Sequence, residues 1–268
     1  VEKEKVIPPA AGKPMSPSLH NKTIFITGAT SGFGHAFATR FAAEGARIVA
    51  TGRRADRLEK LKNTLGECCH TLELDVTDKQ AVLDAIANLP TPFSAVDVLI
   101  NNAGLALGLT KAPDTSLENW EQMVDTNIKG VLYCTHALLP GMAQRNSGHI
   151  VNLGSIAGTY PYPGGNVYGA TKAFLKQFSL NLRADLLGKN IRVTNIEPGM
   201  AETEFSVVRF QGDTHKAGEV YSGMQPLTAE DIANTVLFCL TCPPHVNINA
   251  VEIMPTQQAF SAFAVHRE

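Results

Sequence analysis

"TIFITGATSGFG" (residues 23–34) decides the fold of this chain. Its first five residues, "TIFIT", are all β-branched or aromatic, which is the signature of a strand. Immediately beyond it, Phe33, Phe37 and Phe41 recur every four residues while Arg40 and Glu44 take the other side, which predicts an amphipathic helix over 33–44. Between strand and helix stand Gly28, Gly32 and Gly34, a G-x-x-x-G-x-G spacing. Glycine lets a backbone turn tightly and approach a pyrophosphate closely, and a helix N-terminus offers unpaired N–H groups to an anion. A plain strand-to-helix loop could carry three glycines too. Their place at the first strand–helix junction favours the phosphate reading, with Gly28, Ala29, Thr30, Ser31, Gly32, Phe33 and Gly34 as the contacting residues.

Outward from this unit the same alternation repeats. Strand-like runs stand at 46–51, 70–75, 96–101, 149–154, 191–197 and 247–254. Helical periodicity fills 54–65, 78–89, 116–139 and 166–187. Strand–helix alternation predicts an α/β fold, a Rossmann-like doubly wound parallel sheet with helices on both faces, as a single domain over 22–268. Residues 1–21 are charged and Pro-rich without apolar period, and are expected to be a disordered arm or a cloning remnant. The chain of 268 residues has net charge −2, so nucleic acid and anionic membrane are not implied partners. No apolar run reaches about 18 residues, the length of a membrane span. Five cysteines do not suggest a disulfide framework, and a reducing, cytoplasmic setting is expected. Cys239 and Cys242 form a C-x-x-C without a second pair, and are read as helical thiols with no metal site.

The end of the second strand bears on the cofactor. A carboxylate there hydrogen-bonds the ribose of NAD, whereas arginine accommodates a 2′-phosphate. This chain has Arg53 and Arg54 and no acid until Asp56, which points to NADP, with a solvated helix start as the alternative. Asp75 and Val76 close the third strand and are placed at the adenine. Asn102, Ala103 and Gly104 of "NNAG" close the fourth with small and amide side chains, as a cofactor lying against the backbone requires.

Tyr168 and Lys172 lie four apart, so one helical turn stacks them on a face that continues to Leu175 and Phe178. A free tyrosine has a pKa near 10, and moving it about 3 units takes roughly 4 kcal/mol. An ammonium about 4 Å away at an effective dielectric of about 20 supplies energy of that order. Lys172 is therefore expected to make Tyr168 acidic enough to exchange a proton with an alcohol or carbonyl. Ser155, at the C-terminal end of the fifth strand, is placed to hydrogen-bond the same substrate oxygen. Asn127 lies on the apolar side of its helix.

The glycine turn, "NNAG", Asn127, Ser155, Tyr168-x-x-x-Lys172 and Pro198-Gly199, in this order over residues 22–254, resemble the short-chain dehydrogenase/reductase family. The resemblance implies a seven-stranded sheet, nicotinamide-dependent alcohol oxidation or carbonyl reduction, and Asn127, Ser155, Tyr168 and Lys172 as a catalytic tetrad. It also implies that Lys172 binds the ribose, that Asn127 holds a water linked to it, and that Pro198, Gly199 and Thr203 meet the cofactor. A homotetramer is implied, paired through the helices at 116–139 and 166–187. "NNAGLALG", "PGGNVYGATKAF", "FSLNLRADL", "IEPGMAETEFSVVRFQGD" and "HVNIN" further resemble NADP-dependent 3-hydroxy acid dehydrogenases, which act on serine, allo-threonine, 3-hydroxypropionate or 3-hydroxyisobutyrate. "GMAETEFS" is a residue shorter than that subgroup's usual loop, which leaves the geometry near 200–202 open. A substrate carboxylate calls for a cation, and Arg209 is the candidate, with a structural salt bridge as its alternative. Tyr160 and Tyr162 are either pocket walls or packing residues. A broad carbonyl or 3-oxoacyl reductase is the second enzyme reading. A silent NADP-binding regulator is the third, and the intact Ser155, Tyr168 and Lys172 set argues against it.

Overall fold

All seven strand-like runs pair in parallel in one sheet. The computed structural model describes residues 18–261 and 264–267. In chain order the strands are β1 (Thr23–Ile26), β2 (Arg47–Gly52), β3 (Cys69–Glu73), β4 (Val98–Asn101), β5 (Gly148–Leu153), β6 (Ile191–Pro198) and β7 (Ala250–Ile253). Their spatial order is β3-β2-β1-β4-β5-β6-β7. The winding reverses between β1 and β4, and a crevice opens there beyond the strands' C-terminal ends.

Alternation along β1 shows how the sheet separates two cores. Ile24 and Ile26 face one side, with Ile48, Ala50, Val151 and Ile196. That side is covered by α1 (Gly32–Ala43), α2 (Ala55–Leu65) and α9 (Ala229–Thr241), through Phe37 and Phe41, Leu58 and Leu61, and Ile232 and Val236. The short α7 (Glu204–Arg209) and α8 (Thr214–Glu219) precede α9. The Phe37 and Phe41 rings stack 5.7 Å apart, as the four-residue period requires. Phe25 faces the other side with Val49, Leu99, Ile150 and Val193. There α3 (Lys79–Ala87), α5 (Gly130–Arg145) and α6 (Asn166–Asp185) supply Val82, Cys134, Met142 and Leu182.

The helix expected over 116–139 departs from a plain α-helix. It starts as α4 (Leu117–Val124), widens into a π turn over Asp125–Lys129, and continues as α5 to Arg145 with Pro140 inside it. It stops where Asn146 turns left-handed at φ 49°. The boundary of the expected arm also shifts. Leu19 is buried in the first core, and the Asn21 N–H donates to the Gly45 carbonyl at 2.9 Å, so residues 18–21 belong to the folded body. Residues 1–17 lie outside the described residues. Cys239 and Cys242 are buried at the end of α9, where Arg192 caps the carbonyls of Cys239, Leu240 and Cys242. Among the described residues no helix is long and apolar enough to cross a membrane.

Candidate active site

The turns after β1 and β4 are fastened together across the switch point. Thr27 Oγ1 accepts the N–H groups of Asn102 and Ala103, each at 2.9 Å, and Asn102 Nδ2 donates to the Thr27 carbonyl at 2.8 Å. Gly28 adopts φ 69°, and a Cβ on Gly34 would stand 2.3 Å from the Gly28 carbonyl oxygen, so neither position tolerates a side chain. Gly34 and the fully buried Ala29, whose N–H donates to the Thr51 carbonyl at 2.8 Å, shape the turn from behind. Gly28, Thr30, Ser31, Gly32 and Phe33 line a cleft of about 340 Å³ that runs past Asp75, Val76, Asn102, Ala103 and Gly104 to Ser155, Tyr168 and Lys172. Pro198, Gly199 and Thr203 form its opposite wall.

One end of this cleft is strongly cationic. Arg54 lays its guanidinium over the glycine turn, with Nε and Nη2 donating to Thr30 Oγ1 at 3.1 and 2.8 Å and Nη2 to Ser31 Oγ at 2.7 Å. Arg53 is more exposed and stands 3.7 Å from the Asp75 carboxylate, which also accepts the Thr77 N–H at 2.9 Å. Arg57 follows one helical turn later. Its Nη1 and that of Arg54 both donate to Glu204, the first residue of α7 (Glu204–Arg209).

The other end holds Tyr168, Lys172 and Ser155. Tyr168 and Lys172 project from one face of α6, both buried, with Lys172 Nζ 5.7 Å from the Tyr168 ring centroid. Lys172 Nζ donates to the Leu153 carbonyl at 2.7 Å. Ser155 begins the turn after β5, and its Oγ accepts the Ala157 N–H at 3.1 Å. Asn127 lies in the π turn and grips the chain after β4: Oδ1 accepts the Leu105 N–H at 2.9 Å and Nδ2 donates to the Leu105 carbonyl at 2.8 Å and to Thr171 Oγ1 at 3.0 Å. A Cβ on Gly104 would lie 3.2 Å from Asn127 Oδ1 and 3.5 Å from Lys172 Nζ, so only a glycine leaves this corner open.

The electrostatics differ from the sequence expectation. Burial pushes the Tyr168 phenol up to about 12, against the lowering effects of Arg209 and of hydrogen bonding by Ser155. Burial likewise brings the Lys172 ammonium down to about 8. Lys172 is not among the groups that lower Tyr168: desolvation acts on both side chains, and the ammonium turns to the Leu153 carbonyl. The cation that does face Tyr168 is Arg209. Its guanidinium carbon stands 5.1 Å from the Tyr168 ring, 5.4 Å from Phe205 and 5.9 Å from Tyr162, and Nη2 donates to Tyr162 Oη at 2.8 Å. Its Nε is buried without a partner, and no ion pair among the described residues includes it. Tyr162 thus stands with Arg209 beside Tyr168, whereas Tyr160 turns away: its hydroxyl donates to Glu252 at 3.1 Å and its ring packs on Phe260 near β7.

A family profile described as short chain dehydrogenase matches residues 22–213, from β1 through the glycine turn and tetrad to the end of α7. The chain belongs to the short-chain dehydrogenase family. Within it, the chain is 56% identical over 245 residues to an NADP-dependent 3-hydroxy acid dehydrogenase of Salmonella typhi, covering 91% of this chain and 99% of that one. It is 54% identical over 246 residues to serine 3-dehydrogenase of Rhizobium radiobacter, covering 92% and 98%. The closed form of a serine dehydrogenase complexed with NADP⁺ superimposes with a TM-score of 0.88 at 51% identity, covering 92% and 100%. Against the family frame, four residues of this dehydrogenase escape a reading of the sequence. Thr27 and Arg57 each had a local signal, a threonine ahead of the first glycine and an arginine one turn after Arg54. Glu204 and Gln258 had none. Gln258 Oε1 accepts the Met200 N–H at 2.8 Å and braces the turn after Gly199 from the C-terminal segment.

Proposed function

We propose that this chain is an NADP-dependent oxidoreductase that interconverts short 3-hydroxy acids and their 3-oxo acids or semialdehydes. Serine, allo-threonine, 3-hydroxypropionate and 3-hydroxyisobutyrate are the substrate class. The observation that carries the reading is the half-buried Arg209 guanidinium, with its Nε unpartnered and no ion pair among the described residues, 5.1 Å from the ring of the proton-transfer tyrosine. A ligand whose hydroxyl meets Tyr168 and whose carboxylate meets Arg209 has room for only a few carbons between them. The relatives' names support the same class. A broad 3-oxoacyl reductase would present a long uncharged acyl chain to that cation and leave it without an anion.

The chain's own residues fit the cofactor. The glycine turn lets a pyrophosphate approach its N–H groups, and Arg54, with Arg53, offers donors to a 2′-phosphate. NADP, when bound, supplies or accepts the hydride. Tyr168, neutral at pH 7, donates the proton to the forming alkoxide in reduction and takes it back in oxidation. Lys172, still mostly charged at pH 7, binds the cofactor's ribose. Ser155 orients the substrate oxygen, Arg209 fixes the carboxylate with help from Tyr162, and Asn127 holds the corner beside Lys172 in place.

The catalytic body is proposed to be one domain from residue 18 onward and to work in the cytoplasm as a homotetramer. Exposed Leu117 on α4 and Leu180 on α6 support pairing through those helices. Initial rates with NADP and a panel of 3-hydroxy acids, beside a fatty β-ketoacyl thioester, test the reading. Faster turnover of the thioester than of every short acid would replace it with the 3-oxoacyl reductase.

A further inference from the structure

At the cationic end of the cleft a carboxylate already sits on the arginines. Glu204 accepts Arg57 Nη1 on both oxygens, at 2.6 and 2.7 Å, and Arg54 Nη1 on Oε2 at 3.0 Å. These contacts join the start of α2 to the start of α7, about 150 residues apart in the chain, across the mouth of the cleft. The remaining Arg54 donors are committed to Thr30 and Ser31 hydroxyls. Hydroxyls rotate away readily, so Glu204 is the anion that an incoming phosphate has to replace. Its backbone is fixed. Thr203 caps α7 by accepting the Phe205 N–H at 3.2 Å, its side chain packs against Gly32, and the Glu202 N–H donates to the Leu227 carbonyl at 2.9 Å.

We propose that Glu204 is a cofactor-specificity residue: its carboxylate stands in for a 2′-phosphate on Arg54 and Arg57, and so limits how tightly a 2′-phosphorylated dinucleotide is held. The inference rests on the reading of Arg54 as the 2′-phosphate ligand. The exchange is feasible because each ion pair is partly exposed and therefore weak. Anchored through Thr203, the released carboxylate stays near the phosphate and repels it. Burial works to raise the Glu204 carboxyl, but the Arg57 and Arg54 hydrogen bonds outweigh it and hold the group below its ordinary value, so it is a full anion at neutral pH. The effect is confined to ligands with the 2′-phosphate, since Arg54 and Arg57 lie away from Tyr168. A loosely held cofactor leaves faster after each turnover.

Calorimetric titration with 2′,5′-ADP and 5′-AMP, which differ only in the 2′-phosphate, tests this without turnover. The wild-type protein should prefer 2′,5′-ADP. Glu204→Gln should tighten 2′,5′-ADP by about tenfold, equivalent to about 1.4 kcal/mol, and change 5′-AMP by less than about twofold. Glu204→Ala should do the same, which guards against a defect particular to the amide. If 2′,5′-ADP binding is unchanged or weaker in both variants, Glu204 does not compete and instead aligns the arginines. If both ligands tighten equally, it acts on the whole cleft, and the proposal falls. If the wild-type protein shows no preference for 2′,5′-ADP, the assignment of Arg54 falls together with this inference.

Discussion

The two ends of the cleft hold their cations in opposite ways. Arg54 and Arg57 are partly exposed and share one internal carboxylate. Arg209 is stacked among three aromatic rings, its Nε is buried and unpartnered, and no described carboxylate pairs with it. In water-rich surroundings a guanidinium can exchange one anion for another at little net change. Arg209 is half-buried against aromatic rings with no internal carboxylate to displace, so its donors are left for an incoming anion. On the proposed function, the Arg54 end exchanges its internal carboxylate for the dinucleotide's phosphate, and the Arg209 end receives one small anion.

The largest effect is expected at the buried end. Tyr168→Phe removes only the proton-transfer hydroxyl and should lower kcat by at least about 100-fold, within the range of general acid–base catalysis, while NADP binding measured by fluorescence persists. Normal turnover by this variant would remove Tyr168 from the mechanism.

Cutting the second cation contact separates the two ends. Arg54→Asp should weaken NADP relative to NAD by about 10- to 150-fold, the range for a lost charge-assisted hydrogen bond. Arg53→Asp should do so less, because Arg53 stands off at 3.7 Å from Asp75 and does not touch the glycine turn. Equal NADP/NAD ratios in both variants and the wild type would dissolve the assignment of that end. At the other end, Arg209→Leu should raise the KM for L-serine or 3-hydroxypropionate by about 10-fold or more, and affect an uncharged small aldehyde much less. Equal loss on both substrates would make Arg209 a packing residue.

The smallest effect is on stability. Unfolded Lys172 keeps its proton to about 10.5, whereas the folded residue releases it above about 8. Between those values the unfolded state binds more protons, so stability should rise with pH through this window. Denaturant titrations of wild type and Lys172→Met at pH 7.5 and 9.5 isolate the contribution. An identical pH slope in the two proteins would show that Lys172 titrates normally.

What the sequence disclosed follows from distance along the chain. The glycine turn, Arg53 and Arg54, and Tyr168 with Lys172 each lie within a turn or two of one element, so spacing alone places them. Glu204 could not be placed, because its partners are about 150 residues away and meet it only once the crevice forms. Tyr160 and Tyr162 are two residues apart and read alike, yet one turns to Glu252 and the other to Arg209. The Tyr168–Lys172 spacing was legible, but the shared burial that sets their proton affinities depends on packing around the whole site.

The grip of Asn127 on Leu105 has a kinetic meaning. Its amide supplies one acceptor and one donor to a single residue's backbone, the same pair of bonds that a neighbouring strand would supply. The Leu105 N–H therefore lies in a loop but is shielded by a side chain that belongs to a π turn. Its deuterium uptake should follow opening of that turn rather than of the loop, so one slowly exchanging amide reports whether the helix beneath the site holds its register.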